Sequence, residues 1–259
     1  QSSKTINPEK INSIFSFSEK YVGLEQNNTY QWLGIPYAQA PVGSLRWKAP
    51  RVLESDTKTF KATKFGNACP QRESVSIEKK GKGEYVGSED CLFLNVFTPK
   101  NISNEKKLPV MFWIHGGGNT SGESGSYDFS KLSAAHDLII VSINYRLGFL
   151  GWFYHPSFSE TSNSLEDRSG NFGTLDQILA LKWVERNIED FGGDKNNVTI
   201  FGESAGGHNV FALLSSPLAK GLFHKAISQS GATRTFTLKE SSKFFDNKKS
   251  SFLTSSKEI

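Results

Sequence analysis

The sequence predicts an α/β fold in which helices flank a central, mostly parallel β-sheet. From Pro109 onward, short runs of apolar, β-branched residues alternate with segments of helical periodicity, and such alternation is typical of a parallel sheet. Before Pro109 the chain favours short strands separated by Pro, Gly and Asn. We expect about six core strands. Residues 239–259 form a tail rich in Ser, Lys and Phe that favours no clear element.

The expected strands are short and rich in β-branched and aromatic residues. In chain order they comprise residues 11–17, 30–37, 92–97, 110–114, 138–144, 198–201 and 225–230. The runs at 110–114 and 138–144 are almost continuously apolar, which predicts strands buried on both faces. Residues 74–84 have neither helical nor strand periodicity, so we expect a surface loop there.

Two helices are predicted among the later strands. In the first, residues 174–177 have the form of a capping box, and Gly192 with Gly193 ends the helix. Its apolar residues lie on one helical face, at Leu175, Ile178, Leu181, Val184 and Ile188. The second helix covers about residues 205–214, and Ser216 with Pro217 stops it.

The charge and composition exclude several classes of partner. The 259 residues carry 30 basic and 26 acidic side chains, and the net charge of +4 is spread along the chain. A nucleic-acid site would need one basic stripe, so we expect no nucleic-acid partner. The longest apolar runs are far shorter than the roughly 20 residues that cross a bilayer, which predicts no transmembrane segment. Neither cysteine has a Cys or His at metal-ligand spacing, and we expect neither a metal nor a cofactor.

Three features favour a secreted glycoprotein. The chain begins with polar residues 1–4 and without Met, as a mature chain does after removal of a signal peptide. It contains N-glycosylation sequons, each weak alone, at Asn27, Asn101, Asn119 and Asn197. Cys69 and Cys91 either form one bridge, as in a secreted protein, or remain two buried free thiols of a cytosolic protein.

Residues 202–206, here called the elbow, match the pattern Gly-x-Ser-x-Gly between a strand-like run and a helical one. A sharp strand-to-helix turn would strain the backbone of Ser204 and leave room only for glycine at positions 202 and 206. It would also expose the Ser204 hydroxyl beside a helix N-terminus that favours an oxyanion. The alternative is an ordinary serine in a tight glycine turn, because a five-residue match often occurs by accident.

A second motif, here called the glycine loop, comprises His115 and the three glycines at 116–118, directly after the buried strand that ends at Ile114. In an α/β-hydrolase this is the position of the loop that forms an oxyanion hole. Glycines suit it because backbone N–H groups must come within roughly 3 Å of the substrate oxygen with no side chain in the way. A flexible loop is the alternative, but the order of strand, glycine loop and elbow favours the α/β-hydrolase fold.

Further segments stand in the order typical of one protein family. They are residues 34–38, 45–46, 88–99, 144–148, 170–171, 176–177, 191–194, 198–207 and 229–231. On these segments the sequence resembles the type-B carboxylesterase/cholinesterase family, which includes carboxylesterases, cholinesterases, bile-salt lipases and the non-catalytic neuroligin-like proteins. The resemblance implies that residues 1–259 are the N-terminal part of one α/β-hydrolase domain, truncated after about the sixth core strand.

The resemblance also implies roles for individual residues. Ser204 would be the nucleophile, and Glu203 either tunes the site or belongs only to the turn. The oxyanion hole would consist of the backbone N–H groups of Gly117, Gly118 and Ala205. The implied structural contacts are a disulfide between Cys69 and Cys91 and ion pairs between Arg46 and Glu89 and between Arg146 and Asp176.

In this family the triad acid and histidine come from the C-terminal half, so the resemblance implies an incomplete triad within these residues. His208, one helical turn after Ser204, is a tempting substitute, but we expect it to point along the helix flank. The remaining histidines outside the glycine loop have ordinary surface or packing contexts, at His136, His155 and His224. A shortened gene, a cleaved chain with a separate C-terminal half, and a fragment all fit this pattern.

These inferences predict a carboxylic-ester hydrolase that forms an acyl-enzyme on Ser204 with a small-molecule ester. Choline esters are disfavoured because residues 69–91 contain no Trp to stack a quaternary ammonium group. The alternatives are a non-catalytic adhesion or binding protein on the same fold and an inactive, truncated esterase.

Overall fold

The computed structural model describes residues 4–5, 21–53, 59–72, 84–102 and 106–233. The strand expected at 11–17, the loop at 74–84 apart from its last residue, and the tail at 239–259 lie outside these ranges. In chain order the described strands are β1 Lys4–Thr5, β2 Tyr21–Val22, β3 Leu24–Gln26, β4 Thr29–Pro36, β5 Phe60–Lys61, β6 Gln71–Arg72, β7 Tyr85–Val86, β8 Phe93–Pro99, β9 Leu108–Ile114, β10 Ile139–Ile143, β11 Gly193–Glu203 and β12 Lys225–Gln229.

One sheet of the described residues contains eight of these strands, in the order β1-β3-β4-β8-β10-β9-β11-β12. Strands β10, β9, β11 and β12 run parallel to one another, as the alternation of strands and helices predicted. The antiparallel part, β1, β3, β4 and β8, comes from the first hundred residues. Because parallel strands end at the same edge of a sheet, the residues that follow β9 and β11 meet there.

The helices of the described residues cover both faces of this sheet. They are α1 Ser130–His136, α2 Gly148–Gly151, α3 Phe158–Thr161, α4 Phe172–Asn187 and α5 Ala205–Ser215. Val184 of α4 and Val210 of α5 lie in one buried cluster with Phe112 of β9. Leu132 of α1 packs against a second cluster, which contains Trp113 of the same strand. Successive residues of β9 therefore point to opposite faces, and both faces of the strand are buried.

The first turn of α4 differs from the sequence prediction. The helix begins at Phe172, so Thr174 lies inside it, and the residue before the helix, Asn171, makes no side-chain capping bond. The predicted capping box is therefore wrong. Phe172 is fully buried and Gly173 lies against the Trp152 ring, so tertiary packing extends the helix toward its N-terminus. Thr174 instead accepts a hydrogen bond from Nε1 of Trp152 at 3.2 Å.

The end of α4 agrees with the prediction. A 3₁₀ turn, Ile188–Phe191, continues the helix, and Gly192 then adopts a left-handed conformation with φ 85°. Strand β11 begins at once, five residues before its apolar run, because Gly193 pairs with Leu108 of β9. The elbow helix α5 and the last strand, β12, lie where the sequence places them.

A disulfide joins Cys69 to Cys91, with a sulfur–sulfur distance of 2.01 Å. Both residues are buried. Between them, β6 pairs with β7 in an antiparallel manner that the sequence did not predict. The implied disulfide is confirmed.

Both implied ion pairs are present. The Arg146 side chain contacts Asp176 through two hydrogen bonds, at 2.8 and 2.7 Å, and the two side chains are 3% and 0% exposed. Arg46 binds Glu89 in the same two-point manner, but this pair is partly exposed to solvent. The first pair therefore joins α4 to the segment after β10 inside the protein, and the second joins two loops at its surface.

A membrane-spanning helix must be both long and apolar. No helix in the described ranges combines the length and apolar character that spanning a bilayer requires.

Candidate active site

Ser204 is the single residue between the end of β11 and the start of α5. Its backbone angles are φ 54° and ψ −118°. Residues with a Cβ atom rarely adopt such angles, and the conformation costs about 1–3 kcal/mol. The strained turn predicted from the Gly-x-Ser-x-Gly pattern is confirmed.

The two glycines of the elbow leave no room for a side chain. A Cβ atom on Gly202 would lie 2.5 Å from the carbonyl carbon of Gly206, and one on Gly206 would lie 2.0 Å from the carbonyl oxygen of Ile114. Both distances are far below van der Waals contact. The elbow helix can therefore approach the end of β9 only because these positions are glycine.

Strand β12 holds the elbow from the other side. The backbone N–H of Ser204 donates to the carbonyl oxygen of Gln229 at 2.8 Å. The hydroxyl of Ser228 donates to the carbonyl oxygen of Gly207 at 3.1 Å. The strained residue is thus fixed by hydrogen bonds to the neighbouring strand.

The glycine loop turns sharply after β9. Gly117 and Gly118 have φ values of 100° and 64°, which glycine adopts without strain. The carbonyl oxygen of Gly117 accepts hydrogen bonds from the N–H groups of Thr120 and Ser121, at 3.1 and 3.0 Å. Both glycines are exposed to solvent. Their backbone is therefore accessible, and its shape is fixed by the turn that follows.

The glycine loop packs directly on the elbow. A Cβ atom on Gly116 would lie 2.8 Å from the carbonyl oxygen of Glu203 and 3.3 Å from Cβ of Ser204. Ala205 is the first residue of α5, so its N–H has no carbonyl acceptor within the helix. The structure therefore packs the start of the glycine loop against Ser204, and it places the Glu203 side chain, which is exposed, beside Gly116.

His115, the first residue of the glycine loop, has a packing role. It is buried, its ring stacks on Tyr145 with centroids 4.4 Å apart, and its Nδ1–H donates to the carbonyl oxygen of Gly116 at 2.8 Å. Burial lowers the pKa of His115 to about 4, so the ring is neutral at physiological pH. Its Nε2 is buried without a hydrogen-bond partner.

The other histidines are engaged elsewhere or exposed. Nδ1 of His208 lies 2.7 Å from the backbone nitrogen and 2.6 Å from the carbonyl oxygen of Ala232, so this ring binds the segment after β12. Nδ1 of His224 accepts a hydrogen bond from the N–H of Val198 at 3.1 Å. No histidine side chain of the described residues hydrogen-bonds Ser204; only the backbone N–H of His208 does, to the Ser204 carbonyl oxygen at 3.0 Å within α5. This agrees with the expectation that His208 points along the helix flank.

The remaining two histidines also lie in local contexts. Nδ1 of His155 is 2.7 Å from the hydroxyl of Ser157, two residues away. His136 ends α1 and is exposed. In the part of the chain that the structure describes, no group of three or more His, Cys, Asp or Glu side chains is placed to hold a metal ion.

Sequence reasoning missed a pair of residues that links the segment after the glycine loop to α5. Asn119 directly follows the glycine loop and was considered only as a sequon, whereas its side chain pairs with that of Asn209 in α5. Asn209 is 4% exposed. A polar residue on the apolar face of the elbow helix was the signal available in the sequence, but nothing there indicated its partner.

A model of the carboxylesterase family matches residues 19–252 of the chain. Among curated relatives, para-nitrobenzyl esterase of Bacillus subtilis (strain 168) is 48% identical over 223 residues, which cover 84% of this chain and 43% of the relative. Liver carboxylesterase 1F of Rattus norvegicus is 44% identical over 221 residues, with 82% and 38% covered. The chain thus spans about two fifths of the length of these relatives.

Solved structures show the same similarity in three dimensions. A thermophilic PNB esterase superposes with a TM-score of 0.77 at 46% identity, covering 87% of this chain and 46% of that one. A carboxylesterase from Geobacillus stearothermophilus superposes with a TM-score of 0.70 at 38% identity, covering 82% and 42%. The overall arrangement of sheet and helices is therefore shared with these solved structures.

Proposed function

Because the chain belongs to the carboxylesterase family and has the α/β-hydrolase fold, we propose that the protein is a carboxylic-ester hydrolase with Ser204 as its nucleophile. The observation that carries this proposal is the backbone of Ser204, strained at φ 54° and ψ −118° at the end of β11 with the glycine loop packed on it. Strained backbone conformations cluster at active sites, where the surrounding structure maintains them.

In the proposed reaction, Oγ of Ser204 attacks the carbonyl carbon of the ester while its proton passes to a base. The negative charge on the carbonyl oxygen is stabilised by the N–H groups of Gly117, Gly118 and Ala205, with help from the N-terminus of α5. When this intermediate collapses, the bond between the carbonyl carbon and the alcohol oxygen breaks. The alcohol leaves with a proton, and the acyl group remains on Ser204. Water then attacks the acyl carbon and releases the acid.

The base is assigned to a histidine outside the described residues, oriented by a carboxylate. Two observations support this assignment: no described histidine side chain hydrogen-bonds Ser204, and the chain spans 43% of the length of its bacterial relative. We place both groups in the portion of the relatives that this chain does not cover. That portion would be supplied in the same polypeptide or as a separate chain.

We also propose that the protein resides in the secretory pathway. The disulfide between Cys69 and Cys91 supports this location, because structural disulfides are rare in cytosolic proteins. The exposed sequon residues Asn27 and Asn101 are consistent with it.

The proposal is tested with a fluorophosphonate, which reacts with activated serines. The complete polypeptide should bind one equivalent of the fluorophosphonate at Ser204. It should also hydrolyse a 4-nitrobenzyl ester, the type of ester in the name of its bacterial relative. Ser204→Ala should abolish both, whereas Ser215→Ala, at the other end of α5, should change neither. A folded protein that gives no adduct would exclude the esterase and favour the non-catalytic binding protein.

A further inference from the structure

We infer that Asn119 and Asn209 are positioning residues that fix the glycine loop on the elbow helix. This inference rests on the proposed function, because the loop and the helix are the two sources of the proposed oxyanion hole. The residues are 90 positions apart in the sequence and belong to different elements. They touch neither the substrate nor Ser204 in the proposed reaction, and they would act through the backbone that does.

The contact between the two side chains is reciprocal. Nδ2 of Asn119 donates to Oδ1 of Asn209 at 3.2 Å, and Nδ2 of Asn209 donates to Oδ1 of Asn119 at 2.9 Å. Two parallel hydrogen bonds define both the distance and the relative orientation of the amides, which one bond does not. Because Asn209 is only 4% exposed, water cannot readily replace its partner, and an unpaired amide there would be costly.

Asn119 is tied down at its backbone as well as at its side chain. Its φ is 58°, a left-handed conformation that Asn tolerates better than most residues. Its carbonyl oxygen accepts a hydrogen bond from the N–H of Gly148 at 2.6 Å. The hydroxyl of Tyr145 donates to the carbonyl oxygen of His115 at 2.5 Å and lies 3.4 Å from Oδ1 of Asn119. The glycine loop is therefore held at both of its ends.

This arrangement addresses a geometric requirement of the proposed reaction. Oxyanion stabilisation needs N–H donors at about 2.7–3.1 Å from one oxygen atom. Gly117 and Gly118 contribute from the loop, whereas Ala205 contributes from α5, so their spacing depends on how these two elements are joined. The Asn119–Asn209 amide pair is a direct side-chain link between them, one residue beyond Gly118 and four beyond Ala205.

The test uses steady-state hydrolysis of 4-nitrophenyl acetate by the complete polypeptide. Asn119→Gly is the informative variant, because glycine keeps the left-handed backbone and removes only the side chain. Asn209→Ala removes the other amide from within a helix. We expect each to lower kcat by about 10- to 100-fold with KM changed less than about twofold, because the lost interaction serves the transition state rather than substrate binding.

Two comparisons separate positioning from general stability. The double variant Asn119→Gly/Asn209→Ala should lose no more activity than the worse single variant, because the residues act as a unit. Asn187→Ala is the control: it removes a 2.8 Å amide bond to the carbonyl oxygen of Trp183 in α4 and should leave kcat unchanged.

The outcomes distinguish this inference from the proposed function. An unchanged kcat in Asn119→Gly overturns the positioning role. So does a fall in kcat that is no larger than in an Asn187→Ala control with the same loss of melting temperature. In both cases ester hydrolysis at Ser204 stands. Additive losses in the double variant overturn it too. Absence of turnover in the parent protein overturns both.

Discussion

Ser204 and Gln229 are joined by a backbone hydrogen bond of 2.8 Å, with the N–H of Ser204 as donor. Gln229 is the last residue of β12, which runs parallel to β11, and the bond therefore continues the sheet into the elbow. It draws the amide of Ser204 toward β12, while the start of α5 requires the chain to reverse direction. The positive φ of Ser204 is the result of satisfying both.

The strain at Ser204 gives the first prediction. Ser204→Gly should be more stable to urea than Ser204→Ala by about 1 kcal/mol, because glycine has no Cβ to oppose φ 54° and ψ −118°. Both variants lack the hydroxyl, so its loss does not contribute to the difference between their free energies of unfolding.

A helical position provides the control for this comparison. Lys182 is exposed in the middle of α4, where Gly should be less stable than Ala by about 1 kcal/mol. If the Ser204 pair shows the same order as the Lys182 pair, the backbone of Ser204 is not strained.

The local character of the elbow explains why it could be predicted from the sequence. A strand, a glycine, a serine, a second glycine and a helix lie within a few residues, so neighbouring residues of the sequence reveal the steric requirement. The start of α4 could not be predicted in this way. Phe172 and Gly173 belong to the helix because Phe172 is buried and Gly173 packs against the ring of Trp152, the residue directly after α2.

Contacts between distant side chains were the least accessible from the sequence. The pairing of Asn119 with Asn209 depends on where β9 and β11 end in space, and neither residue indicates the other. The ion pair between Arg51 and Asp167, with its 2.7 Å bond, was missed for the same reason. Arg146 and Asp176 were foreseen only because the family resemblance implied them.

The burial of Arg146 and Asp176 gives a second prediction. Arg146→Ala should lower the free energy of unfolding by about 3–5 kcal/mol, because it leaves the fully buried carboxylate of Asp176 without its cation. Arg146→Met/Asp176→Leu should be less destabilised than the single variant, since no charge then remains buried. Urea titrations of the variants measure both effects.

The surface pair provides the matched control for that experiment. Arg46→Ala breaks a similar two-point contact with Glu89, but solvent reaches both side chains. We expect a much smaller loss than for Arg146→Ala. Equal losses would show that burial does not determine the effect.

The disulfide gives a third prediction. Cys69→Ala/Cys91→Ala opens a loop defined by a sequence separation of 22 residues, and the variant should lose about 3 kcal/mol of stability from the added entropy of the unfolded chain. Reduction of the parent protein should lower its stability to a similar degree. The same reductant should not affect the variant, and an effect there would assign the loss to something other than this bond.

The pKa of His115 gives the last prediction. The ring is neutral in the folded protein down to a pH of about 4, whereas an unfolded histidine takes up a proton below about 6.5. Acid therefore favours the unfolded state, and the stability that neutral His115 supports above pH 6.5 is lost as the pH falls to 4. The difference corresponds to about 3 kcal/mol across this window.

Urea unfolding at a series of pH values between 7.5 and 4 measures this effect. His115→Asn can still donate to the carbonyl oxygen of Gly116 but does not titrate, so its free energy of unfolding should fall less steeply with pH than that of the parent protein. The two curves should converge as the pH decreases. Parallel curves for His115→Asn and the parent would mean that His115 does not resist protonation in the folded state.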